Sequence, residues 1–211
     1  MDPQSTYDRI ADHFAATREY AWPEVTTFLE DRTTDRALDI GCGNGRHTEL
    51  LAARARLAVG VDLSRGLLDA AVARARERGF ADATGFVHGD AARLPIATDA
   101  VGLATYVATL HHLSPRAARV ASLSELSRVL RPGGAGLVSV WSTAHDRFDR
   151  ETGFDTTVDW TLPGGETVPR YYHIYDPDEF AADLAASDLV TEDVTVSSGN
   201  CYAVVHPQPK E

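Results

Sequence analysis

The residues best suited to chemistry form a glycine-rich loop with an acid in front of it. A short apolar segment leads into Asp39, and glycines then occupy every second position, at Gly41, Gly43 and Gly45. Glycines at this density let the backbone turn sharply and let a ligand come close to the main chain. The helix predicted after the loop offers unpaired N–H groups and the positive end of its dipole. The loop is therefore predicted to bind a small molecule.

Two further acids follow later apolar segments. Asp62 ends the second predicted strand, and Asp90 ends the third. An acid at the end of the second strand can accept hydrogen bonds from both hydroxyls of a ribose, and one after the third can face the amino edge of an adenine. Each acid taken alone could equally be an ordinary turn residue. The chain has no Gly-Lys-Ser or Gly-Lys-Thr, which excludes a P-loop.

The charge balance is strongly acidic. The chain has 31 Asp and Glu against 20 Lys and Arg, a net charge of −11, and Lys210 as its one lysine. This composition is typical of a salt-loving organism and predicts a haloarchaeal source, because a GC-rich genome would explain the missing lysine but not the excess of carboxylates. It argues against broad, non-specific nucleic-acid binding. Two cysteines are too few for a disulfide framework or a zinc site, so we predict no metal centre and a cytoplasmic setting.

The elements that must position these residues alternate between strand and helix. Helical spacing over Tyr7–Glu30, divided by Pro23, predicts two N-terminal helices. The predicted strands are Arg36–Ile40, Leu57–Val61, Gly85–His88, Val101–Tyr106 and Gly136–Trp141. The predicted helices that follow are Arg46–Arg54, Arg65–Arg78, Pro115–Val129 and Asp178–Ser187. Ser142–Ile174 is predicted to be less regular, and Val190–Ser197 with Cys201–Val205 to form an antiparallel hairpin.

This alternation predicts an α/β fold with a mostly parallel sheet covered on both faces and a ligand at the carboxyl ends of its strands. A chain of 211 residues fits one domain with a buried core. We divide it into an N-terminal helical cap (1–34), a cofactor-binding core (35–141), an acceptor-side insertion (142–177) and a C-terminal helix and hairpin (178–211).

Four sequence elements together resemble the class I S-adenosylmethionine-dependent methyltransferases, and the resemblance covers nearly the whole chain. They are Asp39-x-Gly41-x-Gly43-x-Gly45, Val61-Asp62-Leu63-Ser64, Gly89-Asp90-Ala91 and Leu130-Arg131-Pro132-Gly133-Gly134. The resemblance implies a Rossmann-like fold with a seven-stranded sheet, and S-adenosylmethionine as the cofactor. The cofactor contacts that it implies are Tyr7, Arg18, Asp39, Gly41, Cys42, Gly43, Asn44, Gly45, Asp62, Leu63, Ser64, Asp90, Ala91, Val107 and Ala108.

Some of these assignments have alternatives or departures. Asp39 would help to hold the amino group of the cofactor, whereas Cys42 could simply fill space in the loop. Arg18 could clamp the cofactor carboxylate or pair with Glu19. Many relatives carry an Asp in strand four where Gly102 aligns, so the alignment leaves open which residues make the contacts assigned to Val107 and Ala108.

The flanking segments suggest the methyl acceptor. Tyr7–Pro23 and Arg170–Tyr175 resemble the tRNA wobble-uridine methyltransferases that esterify 5-carboxymethyluridine, whereas Leu110–Ser114 is shared more widely. The alternatives are a methyltransferase of a small metabolite, quinone or carboxylic acid, and a non-catalytic scaffold of the same fold. The intact glycine loop and its acids count against the scaffold.

The chemistry that this resemblance implies needs no general base, because a free carboxyl has a pKa of about 4 and is ionised at neutral pH. The site must instead bind a carboxylate, aim one oxygen and exclude water. A planar guanidinium binds a carboxylate with two parallel hydrogen bonds, which makes Arg170 the first candidate and His173 a second donor. His112, just after strand four, could orient the acceptor near the methyl group.

Aromatic residues near these donors could stack on an extruded base, and Trp141, Tyr171 and Tyr172 are the candidates. The two tyrosines could equally lie on alternate sides of a half-buried segment, and Trp141 could cap the core. His111 is predicted to be a packed histidine. Arg147 and Arg150 could touch phosphates or remain solvated.

Relatives of this kind work with a small zinc-binding activator that pairs with the sheet edge formed by strand three. The corresponding edge here is Gly85–His88, and its apolar centre fits such pairing, as it does in many edge strands without a partner.

Overall fold

The computed structural model describes residues 2–209, in which strands and helices alternate as the sequence predicts. The α-helices are α1 (Pro3–Ala16), α2 (Pro23–Leu29), α3 (Arg46–Ala52), α4 (Arg65–Arg78), α5 (Arg116–Val129) and α6 (Pro177–Ala185). The strands are β1 (Thr34–Ile40), β2 (Ala55–Asp62), β3 (Thr84–His88), β4 (Val101–Val107), β5 (Leu130–Trp141), β6 (Phe154–Thr161), β7 (Thr167–Ile174), β8 (Leu189–Ser197) and β9 (Asn200–Pro207).

Seven of these strands form one sheet in the order β3-β2-β1-β4-β5-β9-β8. The first five strands of this order pair in parallel, and the β8–β9 hairpin adds two antiparallel strands beside β5. The predicted α/β, Rossmann-like fold is therefore confirmed. The strand order reverses between β1 and β4, the point at which doubly wound sheets bind their ligands.

Helices cover both faces of the sheet, and strand β1 shows how the sequence arranges this. Its side chains alternate, so Leu38 and Ile40 join the core beneath α5 and α6, while Ala37 joins the core that includes residues of α2 and α3. Every residue of β4 is buried, as expected for a central parallel strand. The result is a rigid platform on which the loops at the carboxyl strand ends are held.

The N-terminal helix is fixed against α4 by close approach and by hydrogen bonds. Asp8 accepts hydrogen bonds from the Ser64 hydroxyl at 2.7 Å and from the Gly66 amide at 3.1 Å. A Cβ on Gly66 would lie 2.8 Å from the Ala11 methyl, so only glycine permits this packing. Helix α1 begins at Pro3, earlier than predicted, and thereby extends over the carboxyl ends of the strands.

The segment predicted to be less regular, Ser142–Ile174, contains a continuous hairpin, and that prediction was wrong. Strands β6 and β7 pair in register from Phe154–Ile174 to Thr161–Thr167 and form a separate two-stranded sheet. Pro169 lies inside β7, and a proline within a run weakens a strand assignment made from sequence. No helix among residues 2–209 is long and apolar enough to cross a membrane.

Candidate active site

A cavity of about 420 Å³ opens at the carboxyl ends of β1 to β4, where the fold predicts a ligand. Most of the residues predicted to contact a cofactor line it. These are Tyr7, Gly41, Cys42, Gly43, Asn44, Asp62, Leu63, Ser64, Asp90, Ala91, Val107 and Ala108. His112, predicted on the acceptor side, lines the same cavity.

The glycine loop owes its path to left-handed backbone at Gly41 and Gly43, with φ of +67° and +54°. A Cβ on Gly41 would lie 2.1 Å from the Thr109 hydroxyl oxygen, so the loop packs directly against the turn after β4. Thr109 also lines the cavity, although no motif in the sequence points to it. Burial raises the pKa of the Cys42 thiol well above its usual range, which makes Cys42 a poor nucleophile.

The Asp62 carboxylate links the glycine loop to the start of α4. One oxygen accepts from the Gly43 amide and the other from the Ser64 amide, both at 2.8 Å. Burial raises its pKa, and the two amides oppose that rise. A carboxylate oxygen accepts more than one hydrogen bond, so Asp62 can still hold hydroxyl groups in the cavity. Asp90 lies exposed at the far wall and accepts from the Ala92 amide at 2.8 Å.

Asp39, in contrast, lies beneath the loop and not on the cavity wall. It is 1% exposed, and its oxygens accept hydrogen bonds from the hydroxyls of Thr48 at 2.6 Å and Thr105 at 2.8 Å. Burial raises its pKa to about 6. Asp39 therefore ties β1 to α3 and β4, and it has no direct route to an amino group in the cavity.

Two other predicted contacts also lie off the wall. The Arg18 guanidinium lies over the rings of Phe14 at 5.3 Å and Trp160 at 5.1 Å. Glu19 pairs with Arg78, so the alternative that Arg18 pairs with Glu19 is wrong, and the cofactor clamp stays a prediction. Gly45 caps α3 with a φ of +77°. Arg18 and Gly45 therefore lie outside the set of residues that line the cavity.

The helical cap contributes one wall of the cavity that was not predicted from the sequence. Phe14 lines the cavity, and its ring lies 3.6 Å from where a Cβ on Gly43 would be. The Asn44 side chain donates to the carbonyls of Ala15 at 3.2 Å and Arg18 at 2.8 Å, which fixes the end of α1 to the glycine loop. His47 also lines the cavity, and burial lowers its pKa to about 3.

His112 is held by both ring nitrogens between α1 and β7. Its Nδ1 lies 2.9 Å from the carbonyl oxygen of Tyr171, which can only accept, so Nδ1 carries the proton. Its Nε2 then accepts the hydroxyl proton of Tyr7 over 2.8 Å. Burial lowers the pKa of His112 to about 4, so the ring is neutral at neutral pH. This arrangement orients Tyr7 and leaves no free base on the ring.

Arg170 is a buried guanidinium without an acid. It is 7% exposed, forms no ion pair among residues 2–209, and its Nε has no hydrogen-bond partner there. Its charge lies over the rings of Trp160 at 4.9 Å and Tyr172 at 5.1 Å, and it shares a small space with Tyr7 and His112 beside the cavity. A buried charge with no acid beside it is costly, and an anionic ligand would offset that cost.

His173 was predicted to be a second donor to that ligand, and the structure places it elsewhere. Successive strand residues point to opposite faces, so His173 lies on the face of β7 opposite Arg170. Its two ring nitrogens lie 2.7 Å from Asp155 and 2.9 Å from Glu179, on β6 and α6. His173 therefore secures the β6–β7 hairpin to α6.

The predicted stacking residues divide in the same way. The Tyr171 hydroxyl donates to Asp155 at 2.8 Å, while Tyr172 lies on the other face, 7% exposed, so the two tyrosines occupy alternate sides. Tyr172 packs against the rings of His111 at 4.9 Å and Trp141 at 5.3 Å. His111 is a packed histidine as predicted, and its Nδ1 accepts from the Trp141 amide at 2.9 Å. Trp141 is half-buried, and it contacts Tyr172, the ring over which Arg170 lies.

Sequence comparison identifies relatives that are named as methyltransferases. A sequence model described as a methyltransferase domain matches residues 37–134. The chain is 35% identical over 177 residues to an Encephalitozoon cuniculi protein whose name assigns it to the methyltransferases without a substrate; the match covers 80% of this chain and 78% of that protein. It is 31% identical over 172 residues to the tRNA (carboxymethyluridine(34)-5-O)-methyltransferase of Saccharomyces cerevisiae, covering 78% of this chain and 58% of that protein. The chain spans 19% to 58% of the length of the relatives with this tRNA name.

Solved structures share the fold. A complex of DhpI with SAH superposes with a TM-score of 0.72 at 20% identity and covers 99% of this chain and 96% of that one. A methyltransferase in complex with the Trm112 activator of Haloferax volcanii superposes with a TM-score of 0.73 at 14% identity, covering 100% and 99%.

The cavity, its glycine loop and the acids beside it suit the nucleoside and amino-acid parts of S-adenosylmethionine, which is the cofactor of this fold family. A methyl donor in this cavity fits the methyltransferase domain matched over residues 37–134 and the methyltransferase relative that is covered over 78% of its length. The chain therefore belongs to the class I S-adenosylmethionine-dependent methyltransferases.

Proposed function

We propose that the chain transfers a methyl group from S-adenosylmethionine to the carboxylate of 5-carboxymethyluridine at the tRNA wobble position, giving the methyl ester. The observation that carries the proposal is Arg170, a 7% exposed guanidinium beside the cavity with no acid among the described residues. A carboxylate is the ligand that such a fork binds with two parallel hydrogen bonds.

Because the chain is rich in acidic residues, the lack of an acidic partner for Arg170 is informative. With 31 Asp and Glu in the sequence, eight arginines pair with acids within 4.0 Å in the described part of the chain, and Arg170 does not. Its neighbours are instead aromatic rings, the neutral His112 and the guanidinium of Arg18, which lies over the same Trp160 ring. An incoming carboxylate would thus meet positive charge and no buried negative charge at that position.

The cofactor supplies a methyl group on a positively charged sulfur, and the chain needs only to position the acceptor. When bound, the cofactor would give its methyl carbon to one carboxylate oxygen, and the electron pair of the broken carbon–sulfur bond would stay on sulfur. Arg170 would hold the carboxylate, and Tyr7, oriented by His112, would line the path between acceptor and donor. No proton has to be removed, which agrees with a His112 that has no free basic nitrogen.

On the donor side, Asp62 would accept hydrogen bonds from the ribose hydroxyls, Asp90 would face the adenine, and the loop from Gly41 to Asn44 would contact the methionine part. Phe14 and Tyr7 of the cap would exclude water from the transferred methyl.

The identity of the acceptor base is supported by the relatives named for tRNA carboxymethyluridine, such as that of Saccharomyces cerevisiae at 31% identity. We also propose an activator at the exposed edge of the sheet. Strand β3 is an edge strand, Val87 in it is 36% exposed, and the neighbour noted above binds the Trm112 activator of Haloferax volcanii.

The test is methyl transfer from labelled S-adenosylmethionine to tRNA that carries 5-carboxymethyluridine, with and without a Trm112-type protein. Label that appears only in small molecules from a cell extract would refute the tRNA acceptor.

A substitution of Arg170 tests the carboxylate site. Arg170→Gln should lower kcat/KM for the RNA by at least about 30-fold, because losing one partner of a buried charge pair costs about 2–5 kcal/mol. Arg170→Lys keeps the charge without the fork and should fall in between. Cofactor affinity, measured by calorimetry, should stay near that of the unchanged protein. An equal loss of cofactor affinity would place Arg170 on the donor side instead.

A further inference from the structure

Arginines and aromatic rings alternate in a continuous line that starts at the cap and passes the acceptor side. Arg18 and Arg170 both lie over the Trp160 ring, at 5.1 and 4.9 Å, and Arg170 also lies over Tyr172 at 5.1 Å. Burial lowers the pKa of Arg18, and the nearby charge of Arg170 adds to the effect. Two guanidiniums thus share one indole without an acid between them.

The same line continues into the loop before β6. Trp141 packs against Tyr172 at 5.3 Å and against Phe148 at 4.8 Å, and Arg147 lies over Trp141 at 5.7 Å. Phe148 packs in turn against the Phe154 ring at 5.5 Å, and Arg150 lies over Phe154 at 4.4 Å. We call this whole line, from Arg18 to Arg150, the arginine–aromatic strip.

None of the four arginines of the strip pairs with an acid in residues 2–209. The loop offers three exposed acids, Asp146, Asp149 and Glu151, yet Arg147 and Arg150 lie on rings. A guanidinium stacked on a ring keeps its edge N–H groups free to donate to an anion. At its accessible end the strip therefore offers the N–H groups of the exposed Arg147 and Arg150 to negative groups, beside the half-buried rings of Trp141 and Phe154.

We propose that the arginine–aromatic strip binds the single-stranded RNA nucleotides that flank the methylated one. This inference rests on the proposed function and extends it from one base to the anticodon loop. Single-stranded RNA alternates a phosphate with a flat base, and proteins bind it by stacking bases on rings and arginines while cations follow the backbone. Arg147 and Arg150 contact phosphates, and the half-buried rings of Trp141 and Phe154 receive bases.

The rest of the molecule favours RNA over an acidic peptide as the occupant. An acidic peptide would need cations alone, whereas here each arginine is matched to a ring. Because the chain carries a net charge of −11, long-range attraction to any polyanion is weak, and short-range stacking must supply most of the affinity. Binding should then depend less on salt than it does in basic RNA-binding proteins.

The test is fluorescence anisotropy with a labelled anticodon stem-loop RNA carrying 5-carboxymethyluridine, on the full chain with S-adenosylhomocysteine present. The double variant Arg147→Gln/Arg150→Gln changes two exposed side chains, and its melting curve reports whether it is folded. Arg76→Gln is the matched control, because Arg76 is exposed on α4 and has no ion pair or ring contact among residues 2–209.

The double variant should raise the Kd for the RNA about tenfold, and the slope of log Kd against log salt should fall by about 0.7 per arginine removed. Arg76→Gln should leave both unchanged. Equal Kd values for the double variant and the unchanged protein would refute the proposal that the strip binds RNA. Displacement of the RNA by a polyglutamate peptide at equal charge would refute it as well. If the double variant weakens binding but the unchanged protein methylates no RNA, the strip holds and the proposed reaction fails.

Discussion

Asp39 should make the free protein less stable as the pH rises, and Asp39→Asn should remove that dependence. The carboxyl is 1% exposed, and its pKa rises from an ordinary 3.8 to about 6 because burial disfavours the charged form. Between these two values the folded state holds a proton that the unfolded state has released. Stability therefore falls as the pH rises from below 3.8 to above 6.

The size of the effect follows from the shift. A rise of about two pKa units at 1.36 kcal/mol per unit gives about 3 kcal/mol of stability lost between about pH 4 and pH 7. Asparagine has the same shape, can still accept from Thr105 and can donate to the Thr48 hydroxyl oxygen, and carries no charge at any pH. The variant should therefore be the more stable protein at pH 7 and close to the unchanged one near pH 4.

The assay is urea unfolding of both proteins at several pH values, and the measured quantity is the difference in their free energies of unfolding. Asp35→Asn is a useful control, because hydrogen bonding to Arg56 lowers the pKa of this exposed carboxyl. Its contribution is present above the usual pKa and lost as the pH falls, so its pH dependence has the opposite sign. A difference between Asp39→Asn and the unchanged protein that is constant from pH 4 to 7 would refute the reasoning.

Two further substitutions test the loop and the cap. Gly41→Ala forces an alanine into a φ of +67° and brings its Cβ within 2.1 Å of Thr109, so the free energy of unfolding should fall by at least about 1–2 kcal/mol and cofactor affinity should fall too. Adding Thr109→Gly should recover part of both losses. An unchanged melting curve for Gly41→Ala would contradict this prediction. Tyr7→Phe keeps the ring but leaves Nε2 of His112 without its donor, so the free energy of unfolding measured with denaturant should fall by about 1–3 kcal/mol. A fall of less than about 0.5 kcal/mol would mean that water replaces the hydroxyl.

The fold was predictable because its signals are local. The glycines at positions 41, 43 and 45 and the acids at the ends of β2 and β3 fix the turns at the carboxyl strand ends. The run Val101–Val107 is apolar enough to identify a central strand whatever its neighbours are. These signals placed the cavity, and the resemblance to methyltransferases implied twelve of the residues that line it.

The acceptor side was less predictable, because its residues act across elements that are distant in sequence. Sequence order suggested that Arg170 and His173 work together, but the alternation along β7 points them to opposite faces. His173 meets Asp155 and Glu179, and Arg170 meets Trp160. No spacing rule along the chain could have revealed these partners.

The sequence by itself determined the Rossmann-like fold and the glycine loop, because glycine conformation and strand periodicity are local properties of the chain. The methyl donor was implied by the resemblance of its four motifs to methyltransferases. The tertiary structure decided the roles of the charged residues. Asp39 became a buried tie, Arg18 and Arg170 came to lie on one indole, and His112 became the support of Tyr7. The physical reason is that burial and the choice of hydrogen-bond partner set the charge and function of such groups, and both exist only once distant segments are packed together.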